Sequence, residues 1–113
     1  MKKVAFIFPG QGSQTIGMGK DFFENSDIAK EMILSASTRL GIDFENLLFE
    51  ENENLGKTEF TQPAILLVSS IALAIFKDKC DITPEFVLGH SLGEFSALVA
   101  SGALDYLDAI ELV

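Results

Sequence analysis

Hydrophobic and polar positions divide the chain into two short apolar runs and several longer segments with helical spacing. Residues 4–8 are apolar on both faces, which is typical of a strand covered on both sides in a parallel sheet. A second apolar run, residues 86–88, leads into a glycine and then a helix-forming segment, so it predicts strand, sharp turn and helix. The pattern therefore predicts an α/β fold with two parallel strands.

An amphipathic helix is predicted over residues 26–40. Ser26 stands where an N-cap belongs, and Gly41 stands where a helix ends. Shorter helical patterns are predicted around residues 20–24, over 44–49, from 93 to about 101, and from 105 onward, while the acidic run 50–54 is expected to be a solvated loop. The residues of the long helix that recur at helical spacing, and are expected to face the core, are Ile28, Met32, Ala36 and Leu40.

A second long helix is predicted to begin at Thr61, with Thr61 as its cap and Pro63 in its first turn. Residues 64–76 are apolar on nearly every face, which is typical of a helix buried in the core. These 13 residues fall short of the roughly 20 that a bilayer crossing requires. The segment is therefore expected to be the central helix of the core and not a membrane span.

Composition and charge narrow the class of protein. The 113 residues are enough for one domain or part of one, and the balance of 8 basic against 17 acidic residues gives a formal charge of -9. Such a charge disfavours nucleic acid or an anionic membrane surface as a partner. One cysteine and one histidine give neither an internal disulfide nor a metal-ligand cluster. The apolar run after Lys3 is too short for a signal peptide, so a cytoplasmic location is expected.

Candidate chemistry centres on Ser91, which lies between Gly89 and Gly93 directly after the second predicted strand. A Gly-x-Ser-x-Gly sequence between strand and helix is the nucleophile elbow, in which the serine oxygen lies at the tip of a tight turn beside the first amides of the helix. Ser91 and Glu94 also fit a capping box, in which the serine only caps the helix. The flanking glycines and the preceding strand favour the nucleophile.

The loop after the first strand is the second candidate. In residues 9–14, one proline and two glycines exclude regular structure and allow backbone amides to turn towards the carboxyl end of the sheet, where α/β ligand sites lie. The spacing matches neither common glycine-rich phosphate-binding pattern. A phosphate-binding loop is therefore disfavoured.

Three motifs together resemble the malonyl-CoA:acyl carrier protein transacylase family: residues 8–14 (FPGQGSQ), residues 61–64 (TQPA) and residues 89–94 (GHSLGE). They occur in that family's order and spacing across the chain. The resemblance implies that residues 1–113 are the N-terminal part of the large subdomain of the acyltransferase fold, which is α/β-hydrolase-like with parallel strands covered by helices. It also implies that the rest of the fold, including a ferredoxin-like small subdomain, lies outside the chain.

The same resemblance assigns roles to individual residues. It implies that Ser91 is the nucleophile, which takes malonyl from coenzyme A and passes it to the phosphopantetheine thiol of acyl carrier protein. It places the backbone amides of Gln11 and Leu92 in the oxyanion hole, and Gln62 and His90 along the substrate site. No cofactor and no metal are implied, since coenzyme A enters as the thioester substrate. The implied partners are malonyl-CoA and acyl carrier protein, in fatty acid biosynthesis.

Two components of the reaction are not evident among these residues. A serine nucleophile needs a base, and the adjacent His90 is expected to project to the opposite side of the strand from Ser91. Malonate needs a cation, and the sole arginine, Arg39, is expected to serve the end of its helix. Members of the family carry a catalytic histidine and a malonate-binding arginine farther along, so the chain alone is expected to show little or no activity.

Two other interpretations of these residues remain open. An α/β-hydrolase, either an esterase or a thioesterase, shares the elbow, although such enzymes more often have glycine or alanine at the position of Glu94. A non-catalytic module would retain the elbow only as a helix cap.

Overall fold

The computed structural model describes residues 3–113, and within that range the chain forms two strands and six helices. Every predicted element is present, most within one or two residues of the predicted bounds. In chain order the elements are β1 (Ala5–Phe8), α1 (Lys20–Asn25), α2 (Asp27–Leu40), α3 (Phe44–Phe49), α4 (Thr58–Lys79), β2 (Phe86–Gly89), α5 (Gly93–Ala100) and α6 (Tyr106–Leu112).

The two strands lie side by side in parallel, with Phe8 opposite Gly89 at the carboxyl end of the pair. One face of this small sheet packs against α4 and α5, which supplies the apolar cover that a parallel sheet requires. The buried side chains at that contact are Phe8, Leu73, Ala97 and Ala100, with Phe6 and Val87 partly buried against them.

The other face of the sheet is uncovered within residues 3–113. Ile7, Phe86 and Leu88 are 75%, 58% and 54% exposed on that face. The apolar pattern predicted a strand covered on both sides, and for the described part of the chain this is wrong. The residue types suit a buried face, but no element among residues 3–113 packs over it.

The ends of α2 agree with the prediction, whereas its buried face is shifted. The Ser26 side chain accepts a hydrogen bond from the Ala29 amide, and Gly41 ends the helix with φ 68°. The residues buried on α2 are Ala29, Ile33 and Ala36. Of the four residues predicted to face the core, only Ala36 is fully buried. The helix contacts α1, α3, α4 and α6, so its buried surface is wider than a single row of residues at helical spacing.

The beginning of α4 differs from the prediction. The helix begins at Thr58, so Thr61 lies inside its first turns and does not cap it, and Pro63 lies within the helix. The Thr61 hydroxyl is fully buried and donates to the carbonyl groups of Leu55 and Lys57. The expectation that Thr61 is the cap is wrong, because its hydroxyl is directed to carbonyls that precede the helix.

α4 is the central element of the core, as its apolar composition predicted. The helix is 22 residues long, which is longer than the apolar run predicted. By length and composition alone, a helix of this kind would be able to cross a bilayer. In this structure its buried residues contact α2, α3, α5 and α6. The main core joins them to residues such as Ile33, Phe44 and Ile110 from three other helices.

Candidate active site

Ser91 occupies a sharp turn between β2 and α5. Its φ angle is 55°, and within residues 3–113 it is the only residue other than glycine with a positive φ. A left-handed conformation is unfavourable for a residue with a Cβ atom, so the surrounding structure must hold Ser91 in place. The residue is exposed, whereas Leu92, which follows it, is 3% exposed.

The geometry excludes the capping-box interpretation. α5 begins at Gly93 with Leu92 as its N-cap residue, and no side chain caps this end of the helix. The Glu94 amide instead donates to the backbone carbonyl of Ser91, with a distance of 3.0 Å between nitrogen and oxygen. The Ser91 side chain is therefore not used to begin the helix.

Three glycines allow the turn to form by bringing backbone into direct contact with backbone. A Cβ at Gly89 would overlap the backbone of Gly93, and a Cβ at Gly93 would overlap the carbonyl oxygen of Phe8. A Cβ at Gly10 would overlap the carbonyl oxygen of His90. The carboxyl ends of both strands, the loop after β1 and the first turn of α5 therefore meet at Ser91, with no room for a side chain between them.

Several backbone amides in this cluster are available to a ligand. Within residues 3–113, the N–H groups of Gln11 and Leu92 are among those with no protein acceptor. The next amide, that of Gly93, is already used, because it donates to the His90 carbonyl at 3.0 Å. Unpaired amides at a strand-to-helix turn are suited to binding an anionic oxygen.

The loop after β1 is irregular, as predicted, and is closed by its own polar groups. Both the amide and the hydroxyl of Ser13 donate to the carbonyl of Gly10, at 3.3 Å and 2.7 Å. The amide of Gly12, which has φ 107°, donates to the side-chain oxygen of Gln14 at 2.8 Å. This compact turn places Gln11 at its exposed tip.

The side chain of Gln11 connects this loop to the first turns of α4. Its Nε2 donates to Oγ1 of Thr58 at 2.9 Å, and its Oε1 accepts from Nε2 of Gln62 at 3.4 Å. Gln62, which was predicted to line the site, therefore does lie beside the Gln11 loop. Thr58 was not predicted, because no local pattern relates residues 47 positions apart.

His90 directly follows β2 and lies beside the carboxyl end of β1. Its amide donates to the Phe8 carbonyl at 3.2 Å, and its Nδ1 lies 3.5 Å from the position of a Cβ on Gly10. The imidazole is therefore next to the Gln11 loop. The prediction that it projects away from the Ser91 oxygen stays a prediction.

Arg39 is engaged away from the turn. Its Nη2 lies 2.8 Å from a carboxylate oxygen of Asp108, and its Nε lies 2.6 Å from one of Glu111. The hydrogen bonds to these two carboxylates raise the pKa of the guanidinium above its ordinary value. Arg39 was predicted to interact favourably with the dipole at the end of its helix. The structure adds ion pairs between Arg39 and α6.

Other chemistry is sparse in the described part of the chain. Nowhere in residues 3–113 do three histidine, cysteine, aspartate or glutamate side chains cluster as metal ligands would. A cavity of about 590 Å³ is lined by Cys80, Glu85 and Ser101, among others. It lies at the amino end of β2, away from Ser91, so the cavity and the elbow are separate features.

Comparison with known proteins gives close matches over nearly the whole chain. Residues 5–113 match the family model described as the acyl transferase domain. The malonyl CoA-acyl carrier protein transacylase of Staphylococcus aureus (strain COL) is 47% identical, over 100% of this chain and 36% of that protein. The Bacillus subtilis protein of the same name is 44% identical, over 100% of this chain and 28% of that protein.

The crystal structure of malonyl-CoA:acyl carrier protein transacylase from Helicobacter pylori is also similar. It superposes with a TM-score of 0.96 at 50% sequence identity, covering 99% of this chain and 37% of that one. This chain therefore spans about a third of the length of that protein.

Proposed function

The chain belongs to the acyl transferase domain family, and from that membership we propose that it supplies the nucleophile and the oxyanion-binding amides of a malonyl-CoA:acyl carrier protein transacylase. The predicted family and the predicted α/β acyltransferase fold are both confirmed by the matches. The chain spans 36% of the S. aureus relative. The activity, substrates and partners of a whole transacylase are therefore proposed for this chain.

The observation that carries the proposal is the conformation of Ser91. An exposed serine with φ 55°, held by backbone contacts at Gly89 and Gly93, is a strained arrangement that helix formation does not require. Strain of this kind is concentrated at functional sites. Ser91 is exposed, and within residues 3–113 the amide of the next residue, Leu92, has no protein acceptor, an arrangement that suits a serine nucleophile.

The proposed reaction has two acyl-transfer steps. The Ser91 oxygen attacks the thioester carbonyl of malonyl-CoA, and a base accepts its proton. The negative charge on the carbonyl oxygen is stabilised by the amides of Gln11 and Leu92 until the carbon–sulfur bond breaks, and coenzyme A leaves as the thiol by taking the proton from the base. In the second step the base removes the proton from the thiol of acyl carrier protein, and the sulfur attacks the malonyl-serine ester. The bond between the serine oxygen and the carbonyl carbon then breaks, and the base returns the proton to Ser91.

Gln62 and His90 are proposed to line the substrate site. The Gln62 amide lies beside the Gln11 loop, and His90 packs its backbone against Gly10. Both groups therefore border the region that an acyl group bound to Ser91 would enter.

The location that suits these substrates is the cytoplasm. The proposal includes no metal and no cofactor, because the chemistry needs only a nucleophile, a base and oxyanion donors.

We further propose that residues 1–113 are the N-terminal part of the large acyltransferase subdomain and have little or no transacylase activity alone. Arg39, the sole arginine, is paired with Asp108 and Glu111, so it is not free to bind a malonyl carboxylate. His90 is the sole histidine, and its neighbour in the structure is the Gln11 loop. We therefore propose that the base and an arginine that binds the malonyl carboxylate lie elsewhere in the enzyme.

A chimera tests the function, with residues 1–113 replacing the matching stretch of the S. aureus relative. We expect it to transfer labelled malonyl from malonyl-CoA to holo acyl carrier protein, and Ser91→Ala to lower the rate about a thousandfold or more. Ser101→Ala, which removes an exposed hydroxyl at the end of α5, is the matched control and should be without effect.

The same assay separates the alternatives. A hydrolase would release free malonate from malonyl-CoA without acyl carrier protein, and a non-catalytic module would leave the thioester intact. A folded chimera that does either contradicts the proposal.

A further inference from the structure

Gln11 is held by its side chain as well as by its loop. The nitrogen of its side-chain amide donates to Thr58, and the oxygen of the same side-chain amide accepts from Gln62. Thr58 and Gln62 are four residues apart on α4, so both lie on the same face of that helix. The planar amide of Gln11 is therefore bound at two points, which fixes its orientation as well as its position.

In the part of the chain that the structure describes, these two hydrogen bonds are the only ones that tie the loop to another element. Among residues 3–113, the remaining hydrogen bonds made by residues 10–14 are internal to the loop. Gly10 and Gly12 flank Gln11, and Gly12 adopts φ 107°, so the backbone on both sides is permissive. Without the side-chain bonds, the Gln11 backbone amide would be held only by the packing of Gly10 against His90 and by the internal hydrogen bonds of the loop.

The start of α4 is a rigid anchor for this purpose. Thr61, one turn after Thr58, is fully buried, and its hydroxyl holds the carbonyls of Leu55 and Lys57. From there the helix continues through the middle of the core. A group bound to Thr58 is therefore bound to the helix that runs through the middle of the core.

We propose that Thr58 is a positioning residue for the reaction. Its hydroxyl accepts a hydrogen bond from the Gln11 side chain and thereby holds the Gln11 backbone amide at the place where negative charge develops on the substrate oxygen. The inference rests on the proposed function, since it assumes that this amide belongs to the oxyanion hole. In this proposal Thr58 acts through Gln11 and not by contact with the reacting atoms.

Kinetics of the chimera provide the first test. In Thr58→Val the hydroxyl is lost and the shape is kept, so we expect kcat to fall about three- to tenfold, the range for one exposed hydrogen bond. KM for malonyl-CoA should stay unchanged, because the oxyanion forms only in the transition state. Thr58→Ser keeps the hydroxyl and should restore kcat. Equal losses in both variants, or a loss confined to KM, would overturn the proposal.

Nuclear magnetic resonance of the 113-residue chain provides a second test that does not depend on activity. With glutamine labelled by ¹⁵N, Thr58→Val should shift the side-chain amide signals of Gln11 and increase the mobility of its backbone amide, whereas Thr58→Ser should not. An unchanged Gln11 in the folded Val variant refutes the positioning role. If Gln11 responds as expected while the wild-type chimera transfers no malonyl, the proposed function has failed and the structural link stands.

Discussion

Gly93 lies so close to Phe8 that a Cβ atom on the glycine would overlap the phenylalanine carbonyl oxygen. The first residue of α5 therefore rests directly on the last residue of β1. This contact sets how far Ser91 projects from the sheet, because Ser91 is only two residues before Gly93. The position of Ser91 therefore depends on Gly93, although Gly93 has no side chain that takes part in the reaction.

Gly93→Ala is expected to lower the free energy of unfolding of the chimera by about 2–3 kcal/mol, since backbone must move to admit the methyl group. Gly56→Ala is the matched control, because a Cβ there meets nothing within 4 Å. Urea unfolding compares the two variants. A Gly93→Ala variant as stable as the control would show that the packing around the turn is looser than the structure indicates.

Replacing the strained serine is expected to separate stability from activity. Ser91→Gly relieves the left-handed conformation and should raise the free energy of unfolding by about 0.5–1 kcal/mol, while malonyl transfer is lost. Ser91→Ala removes the same hydroxyl but keeps the Cβ atom, so it should lose activity without gaining stability. Equal stabilities for the two variants would mean that Ser91 is not under strain.

Arg39 is expected to be irrelevant to substrate binding. Because its guanidinium is held by Asp108 and Glu111, Arg39→Gln should leave both kcat and KM for malonyl-CoA of the chimera unchanged to within about twofold. The small stability loss should diminish at high salt, as for any exposed ion pair. A tenfold rise in KM would instead identify Arg39 as the malonate-binding cation.

Tyr106 provides a pH-dependent test of the α6 packing. Burial raises the pKa of its phenol, and the nearby carboxylates of Asp105 and Glu31 act in the same direction. The unfolded chain therefore releases this proton at a lower pH than the folded chain, so the free energy of unfolding falls as pH rises above about 10.

Tyr106 is the sole tyrosine, so tyrosinate absorbance of the 113-residue chain follows it alone. The titration midpoint should be higher in the folded chain than in the same chain in urea, with circular dichroism verifying the fold. Coincident midpoints in a sample that retains its helices would contradict the partial burial of Tyr106.

Local signals predicted most elements and the elbow correctly. The turn at Ser91 is encoded within five residues, by two glycines and the strand before them, so it was evident from the sequence. The start of α4 was predicted wrongly, because Thr61 with Pro63 two residues later imitates a cap, whereas the Thr61 hydroxyl is directed to the carbonyl of Leu55. That contact depends on how the preceding turn folds back onto the helix, which residue propensities do not record.

Non-local relationships could not be predicted in the same way. Gln11 and Thr58 meet across 47 positions, and both are ordinary polar residues in polar surroundings. The apolar residues Ile7 and Leu88 were expected to be buried, yet within residues 3–113 they are exposed, because the pattern cannot tell which element covers them. Residue type records a tendency to be buried, whereas the partner depends on the arrangement of the whole fold.

The most direct measurement is the location of the acyl group. The chimera would be incubated with malonyl-CoA in the absence of acyl carrier protein, quenched with acid and analysed by peptide mass spectrometry. We expect one malonyl ester, on Ser91, which disappears when holo acyl carrier protein is added before quenching. A malonyl group on another residue, or transfer to the carrier protein that persists in Ser91→Ala, would contradict the assignment of Ser91 as the nucleophile.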